Sequence, residues 1–376
     1  MASLEIFARQ QLEKATSSKQ LRVLKTSLRE DGVYVQRGNK KLISFSCNDY
    51  MGLSNHPVVK QAAQDAIEKY GTGSGASRLV TGNNHLYSEL EFLLAKIKNT
   101  ESALVFGSGY LANIGIIPAL AGKGDLTIAD KLIHASLIDG CKLSGTKLLR
   151  FAHNSLESCE SLLKKHRRKF KNCLIVTDHI FSMNGDIAPV DKLYDLAEKY
   201  NAWLMTDDAH GLGIISDNHQ RKPHIQMGTL SKAVGNYGGY VCASKTVIDY
   251  LTTSARAHIY STALPPATLA GSIASLQIIM ENKNLCAKAL ENAILFTRLL
   301  GLADAESAIV PIILGDEART SKAAKMLEDN GFLVTAIRPP TVPKGTSRLR
   351  FAFSALHKAE DIEKLANVIK ENLLHD

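Results

Sequence analysis

Residues 202–213 read AWLMTDDAHGLG. A short apolar run breaks abruptly into Asp207, Asp208 and His210 and then into glycines, as a buried strand does when its C-terminal end faces a ligand. The same punctuation recurs on both sides. Apolar runs at 103–106, 126–129, 148–151, 173–176, 225–227 and 239–243 alternate with amphipathic stretches between Val58 and Tyr260, which predicts an α/β domain whose largely parallel sheet is sandwiched by helices. Residues 1–45 read as an arm made of a polar helix, an extended segment and a strand over 41–45. Beyond a helix over 267–282, strands at 308–314, 332–336 and 349–353 and a helix with Ile362, Leu365, Ile369 and Leu373 on one face predict a smaller C-terminal α+β domain. The expected divisions are an arm over 1–45, a large domain over 46–275 and a small domain over 276–376.

Composition narrows the function classes. At 376 residues and 45% hydrophobic, the chain can bury a sizeable core and needs no disulfide framework. Its cysteines (Cys47, Cys141, Cys159, Cys173, Cys242 and Cys286) show no CxxC or metal-type spacing, so reduced thiols in the cytoplasm are expected and no metal site is. No stretch has the length and apolarity of a membrane span, and the N-terminus lacks the apolar core of a secretion signal. The net charge of +8 has one dense run, KKHRRKFK at 164–171, without interleaved aromatics, which reads as a solvated helix end rather than a nucleic-acid surface.

Chemistry gathers around a lysine. In TLSKAVGNYGG, Lys232 follows Thr229 and precedes Gly235, Gly238 and Gly239; alone, this is a surface lysine in a flexible loop. An aldehyde cofactor with a ring nitrogen requires a lysine to condense with it, a carboxylate to keep that nitrogen protonated and a donor for its phenolate oxygen. Lys232, Asp207 and His210 supply all three. Gly107-Ser108-Gly109-Tyr110 follows a strand and opens a helix, where free N–H groups and the helix dipole suit a phosphate, although an ordinary tight turn looks the same.

These segments, with SFSCNDYMGL, GTGSGASRLVTGN, DKLIHASLIDG, TDHIFSMNGD, IYSTALPPA and RPPTVPKGTSRLRFAFSALH in order, resemble the pyridoxal-phosphate (PLP) enzymes called α-oxoamine synthases, of fold type I. The resemblance covers nearly the whole chain and is strongest to the branch serving biotin biosynthesis. It implies a decarboxylative condensation of L-alanine with pimeloyl-CoA, or pimeloyl on acyl carrier protein, in a homodimer with shared active sites. On this resemblance Lys232 is the Schiff-base lysine, Asp207 the pyridinium partner, His210 the phenolate contact, His134 the ring-stacking residue and Ser182 a neighbour of the ring oxygen. Ser108, Gly109, Tyr110 and Thr229 fall where the family binds phosphate, and Ser261 and Thr262 where it reaches the neighbouring subunit's phosphate. Thr229 and Ser261 also read as turn caps.

For the substrate carboxylate the resemblance offers Arg350 first and Arg338 second, with Asn48 and Arg22 at weaker positions. Arg348 is assigned to the opposite face of its strand. Tyr87 stands where relatives commonly carry histidine, which suggests support of a loop rather than chemistry. The stretch between Gly211 and Gly228 reads as shorter than in relatives. Glycine C-acetyltransferase, 5-aminolevulinate synthase and serine palmitoyltransferase share these residues and remain alternatives, as do an aminotransferase or aldolase of the same fold and a scaffold protein without activity.

Overall fold

The computed structural model describes residues 3–17, 21–215 and 221–373. The first helix, Ser3–Ser17, is exposed along its length. Three short strands follow, β1 (Leu28–Asp31), β2 (Tyr34–Arg37) and β3 (Lys40–Ser44), as an antiparallel meander. The strand expected over 41–45 is there as β3; β1 and β2 are additional, their mixed-polarity sequences LRED and YVQR giving no apolar run to read.

Seven strands make the central sheet: β4 (Ser102–Phe106), β5 (Leu126–Asp130), β6 (Lys147–Phe151), β7 (Cys173–Asp178), β8 (Trp203–Asp207), β9 (Ile225–Thr229) and β10 (Gly239–Ala243). They are ordered β4-β10-β9-β8-β7-β5-β6, and only β10 runs antiparallel to its two neighbours. All seven lie where the runs read from the sequence predict strands. β5, β7, β9 and β10 are buried at every residue because helices cover both faces, polar Thr127, Thr177 and Gln226 being buried with their apolar neighbours. One core lies around Ile116, Leu137, Val176 and Met205, another around Leu86, Leu90, Tyr240 and Leu276.

In the C-terminal third, β11 (Ile309–Gly315), β12 (Phe332–Leu333), β13 (Thr335–Ile337) and β14 (Ser347–Ala352) flank the helices Glu317–Asp329 and Ala359–Leu373. The single strand expected over 332–336 divides at Val334: β12 pairs in parallel with β3, while β13 pairs with β14. Ile362, Leu365 and Ile369 are buried, as their shared face predicts, against Phe296, Phe351 and Phe353.

The topology sets up one working edge. β5, β7, β8 and β9 are mutually parallel, so their C-terminal ends open on the same side, where polar residues follow each apolar run. The turn at 46–56 is pinned there from the C-terminal third: Ala352 N–H donates to Phe45 O, Ala355 N–H to Tyr50 O and Ser354 Oγ to Asp49 O. Asp49 accepts from Leu53 N–H and from Arg29 at 2.8 Å. Asn48 and Tyr50 thus reach the sheet edge on a braced turn.

Candidate active site

A cavity of about 240 Å3 opens at that edge, lined among others by Ser108, His134, Asp178, Asp207, His210 and Lys232. A larger cleft of about 730 Å3 opens beside Trp203 and His224, where β8 and β9 begin, and it carries none of the expected site residues.

Asp207 ends β8 and is buried. Its Oδ1 accepts from Ala209 N–H at 3.0 Å and its Oδ2 from Asn113 Nδ2 at 2.8 Å, which orient the carboxylate from two sides. Lys232 lies in the loop between β9 and β10, with Nζ 2.6 Å from His210 Nε2. Burial lowers the Lys232 amine from its ordinary value to about 8, against the pull of Asp207 and Asp178 and with the push of Arg350. Far more of it is therefore neutral near physiological pH than of an ordinary lysine, although the charged form still predominates. His210 is held well below the ordinary histidine range by burial and then by the Lys232 charge, and its Nδ1 lies 2.6 Å from Tyr50 OH. Burial pushes the Tyr50 phenol up to about 12.

The phosphate end is a helix N-terminus. Ser108 caps the helix Gly109–Leu120, its Oγ accepting from Leu111 N–H, while the N–H groups of Gly109 and Tyr110 have no acceptor within the helix. Gly239 lets β10 pass close behind: a Cβ there would collide with the Ser108 backbone. Thr229 lines the cavity too, but its hydroxyl already donates to Gly238 O at 2.8 Å and accepts from Ser231 N–H, so its turn-capping role is real.

Ser182 lines the cavity from the turn between Ile180 and Ile187, and its carbonyl accepts from Arg350 Nε at 2.5 Å. Arg350 Nη2 reaches Asn48 Oδ1 at 3.2 Å, which gathers two of the expected substrate residues beside Ser182. Arg348 corrects its assignment: residues two apart on a strand share a face, and Arg348 reaches the same turn through Asn184 Oδ1 at 2.6 Å.

Six expected residues lie outside the cavity lining: Arg350 and Asn48 adjoin it through Ser182, and four others stand apart. Arg338 is in the 338–346 loop, and Arg22 is exposed ahead of β1. Ser261 donates to Ala257 O, while Thr262 bridges to Ser77. Tyr87 is buried under the Arg78 guanidinium and accepts from Leu264 N–H at 2.6 Å, so it braces the 261–266 segment. Part of the stretch that reads as shortened, 216–220, lies outside the described residues. Among the described residues no cluster of His, Cys, Asp and Glu is placed to hold a metal, and no helix is long and apolar enough to cross a membrane.

Residues 40–369 match the family model described as aminotransferase class I and II. The 8-amino-7-oxononanoate synthase of Beijerinckia indica subsp. indica is 51% identical over 98% of each chain, and that of Methylobacterium nodulans is 48% identical over 98% of this chain and 97% of its own. The chain belongs to the 8-amino-7-oxononanoate synthase family. Among solved structures, a serine palmitoyltransferase of Sphingomonas wittichii matches with a TM-score of 0.91 at 29% identity, covering 99% of this chain and 98% of its own. The 8-amino-7-oxononanoate synthase of Francisella tularensis matches at 0.76 and 29%, covering 89% and 98%.

Family membership leaves four cavity neighbours that the sequence reading passed over: Tyr50, Asn113, Ser136 and Asp178. Asp178 ends β7 directly opposite Asp207, and burial, reinforced by the Asp207 charge, raises its carboxyl well above the ordinary range. The shared pattern of an apolar run, a threonine and an aspartate on two adjacent parallel strands is the signal that could have found it.

Proposed function

We propose that the chain is a pyridoxal-phosphate acyltransferase that condenses L-alanine with a pimeloyl thioester, giving 8-amino-7-oxononanoate, CO2 and a free thiol. The observation that carries the reading is the donor set of the 240 Å3 cavity: an amine lowered to about 8, a carboxylate braced by two donors and a helix N-terminus around one space. This set fits the cofactor. Lys232 would hold its aldehyde carbon, Asp207 its ring nitrogen, His210 its phenolate oxygen, and Ser108, Gly109, Tyr110 and Thr229 its phosphate, with His134 against the ring face and Ser182 near the ring oxygen. When bound, the cofactor supplies the sink for the electron pair left when the amino acid loses its Cα proton.

Each residue has a task at a stated atom. With the cofactor bound, Lys232 Nζ as a free neutral amine would take the Cα proton and later return one. Asp207 keeps the ring nitrogen protonated, an electrostatic contribution set up before reaction by its two donors. Arg350 receives the substrate carboxylate in its planar fork, held ready by Ser182 O and Asn48 Oδ1, with Arg338 and Arg22 as secondary candidates. The balance closes: a bond forms between Cα and the acyl carbon, the C–S bond breaks to expel the thiol, and the bond to the carboxylate breaks to release CO2.

The roughly 50% identity to named 8-amino-7-oxononanoate synthases favours alanine and pimeloyl over the serine and palmitoyl substrates named for the structural neighbours. The donor is CoA or acyl carrier protein. Six free cysteines support a cytoplasmic setting, and Ser261 and Thr262, lying outside the cavity of their own chain, support a homodimer in which they reach the partner's phosphate. The divisions at residues 45 and 275 are part of the same reading.

The test is thiol release by PLP-loaded protein from pimeloyl-CoA, with L-alanine, glycine or L-serine supplied separately and the ketone identified by mass. Alanine-dependent release with 8-amino-7-oxononanoate formed is the expected result, and Lys232→Ala should abolish it. Release with glycine or serine and another acyl-CoA would assign a sister activity, and PLP binding without thiol release from any donor would overturn the condensation.

A further inference from the structure

Asn113 is buried on the helix Gly109–Leu120, and neither motif nor charge singles it out. Its Nδ2 donates to Asp207 Oδ2 at 2.8 Å and to Ser136 Oγ at 2.9 Å, while its Oδ1 is buried with no partner. The amide can sit only this way round, because the reverse would aim an oxygen at a carboxylate. Both of its hydrogens are therefore spent, one on each neighbour.

Ser136 continues the chain. Its Oγ accepts from Asn113 and so directs its own hydrogen elsewhere, and the remaining neighbour is His134 Nδ1 at 2.7 Å. The Ser136 backbone N–H also points at that nitrogen, at 3.3 Å, as part of the cap that His134 forms on the helix Ala135–Ser144. Two donors converge on Nδ1, so Nδ1 carries no proton, and a neutral imidazole with a bare Nδ1 has its hydrogen on Nε2. From the other side, His134 N–H donates to Asp178 Oδ1 at 3.1 Å, which fixes the backbone that carries the ring. Enclosure, against the pull of Asp207 and with the push of Lys232, also holds His134 below the ordinary histidine value.

We propose that Asn113 and Ser136 are positioning residues forming a hydrogen-bond relay from the Asp207 carboxylate to His134, which locks His134 as the neutral Nε2–H tautomer. The cavity then meets an N–H donor at His134 rather than a base. Proton abstraction at Cα and the later return of a proton consequently fall to Lys232 alone, and His134 Nε2–H is available to donate a hydrogen bond to a substrate oxygen. The relay also ties the two ends of the site together, because a shift in Asp207 moves the donor that sets the His134 tautomer. This inference deepens the function proposed above and rests on it for the catalytic part, whereas the tautomer itself does not depend on it.

The experiment is imidazole nitrogen NMR on the full-length chain with 15N-labelled histidine, cofactor-free and PLP-loaded, with His134→Gln to assign the signal. The native protein should show a single Nε2–H tautomer at neutral pH in both forms. Asn113→Leu and Ser136→Ala should each admit the Nδ1–H tautomer and lower kcat about tenfold, the size of one lost hydrogen bond, with KM for the amino acid nearly unchanged. Ser136→Thr, which keeps the hydroxyl, should restore both readouts. An Nδ1–H tautomer or an imidazolium in the native protein, or a tautomer and kcat indifferent to both substitutions, would overturn the relay. A native Nε2–H tautomer that responds as stated in a protein that releases no thiol would leave the relay standing and remove the proposed reaction.

Discussion

Lys232 is enclosed and His153 only half-buried, and opposite pH dependences follow. The Lys232 amine titrates near 8 in the folded chain against an ordinary 10.5. Below pH 8 both folded and unfolded chains bind the proton and the burial cost is full; between 8 and 10.5 only the unfolded chain binds it, so this contribution to stability improves as pH rises. In cofactor-free protein, Lys232→Met should therefore raise stability at pH 7 by about 1–3 kcal/mol. Urea unfolding along a pH series should show that gain shrinking toward pH 10, and a constant gain would refute the lowered amine. His153 is the reverse case. Its two ring nitrogens face Asp130 Oδ1 at 3.1 Å and Asp186 Oδ2 at 2.6 Å; burial works against the charge, but the two carboxylates lift the imidazole to about 9. Its stabilisation is complete below the ordinary 6.5 and is lost as pH rises through 9, so His153→Gln should cost about 1–2 kcal/mol at pH 6 and almost nothing at pH 10 in the same titration. For Arg350, whose fork is aimed by Ser182 O and Asn48 Oδ1, Arg350→Gln should lower kcat/KM for alanine about 10- to 100-fold, mostly through KM. Steady-state kinetics with alanine varied would tell, and an unaltered KM would move the carboxylate contact to Arg338.

The turn carrying Ser182 is the element on which the site depends most. Phe181 N–H donates to Asp186 O and Gly185 N–H to Phe181 O, and the turn is held from outside by His153 at Asp186 and by Arg348 at Asn184. Gly185 has a φ of +80°, and a Cβ there would collide with the Ile309 carbonyl. Gly185→Ala should thus destabilise the protein by about 2 kcal/mol or more and raise KM for the amino acid through displaced Arg350, which thermal unfolding and kinetics on one preparation would show. This dependence marks what the sequence discloses. The strands of the central sheet are readable because each is an apolar run closed by a polar turn, and Lys232, Asp207 and His210 are readable because they follow such runs. β1 and β2 are not, since LRED and YVQR are four residues long and mix charged and polar residues with one or two apolar ones, leaving no apolar run to read. Asn113 and Ser136 escape for another reason: Asn113 acts on Asp207, 94 positions away, and Ser136 receives from Asn113, 23 positions away, which no spacing along the chain reveals. Arg348 shows a reading that failed on elementary geometry, the period of a strand.

At the scale of the whole molecule, Ser261 and Thr262 stand apart from the cavity of their own chain. Ser261 and Thr262 sit beside the Arg78–Gly82 turn, pinned by the Ser77–Thr262 bridge and by Tyr87 at Leu264. Around them Leu79, Val80 and Tyr260 are exposed at 56%, 74% and 71%, an apolar surface of the kind that marks an interface. In the proposed homodimer each site takes Lys232 from one chain and Thr262 from the other, and symmetry makes both sites identical. Subunit mixing tests this directly. Lys232→Ala dimers have no active lysine, and dimers with Ser261→Ala and Thr262→Val together should hold the cofactor phosphate poorly, so each preparation alone should release little thiol. In a mixed dimer one site combines both defects while the other has its native lysine and its native Ser261 and Thr262. Co-unfolding equal amounts and refolding them with PLP gives half mixed dimers at random, each with one native site, so thiol release should recover to about a quarter of the native value. If both groups came from a single chain, every mixed dimer would hold one site of each defective kind and no activity would return.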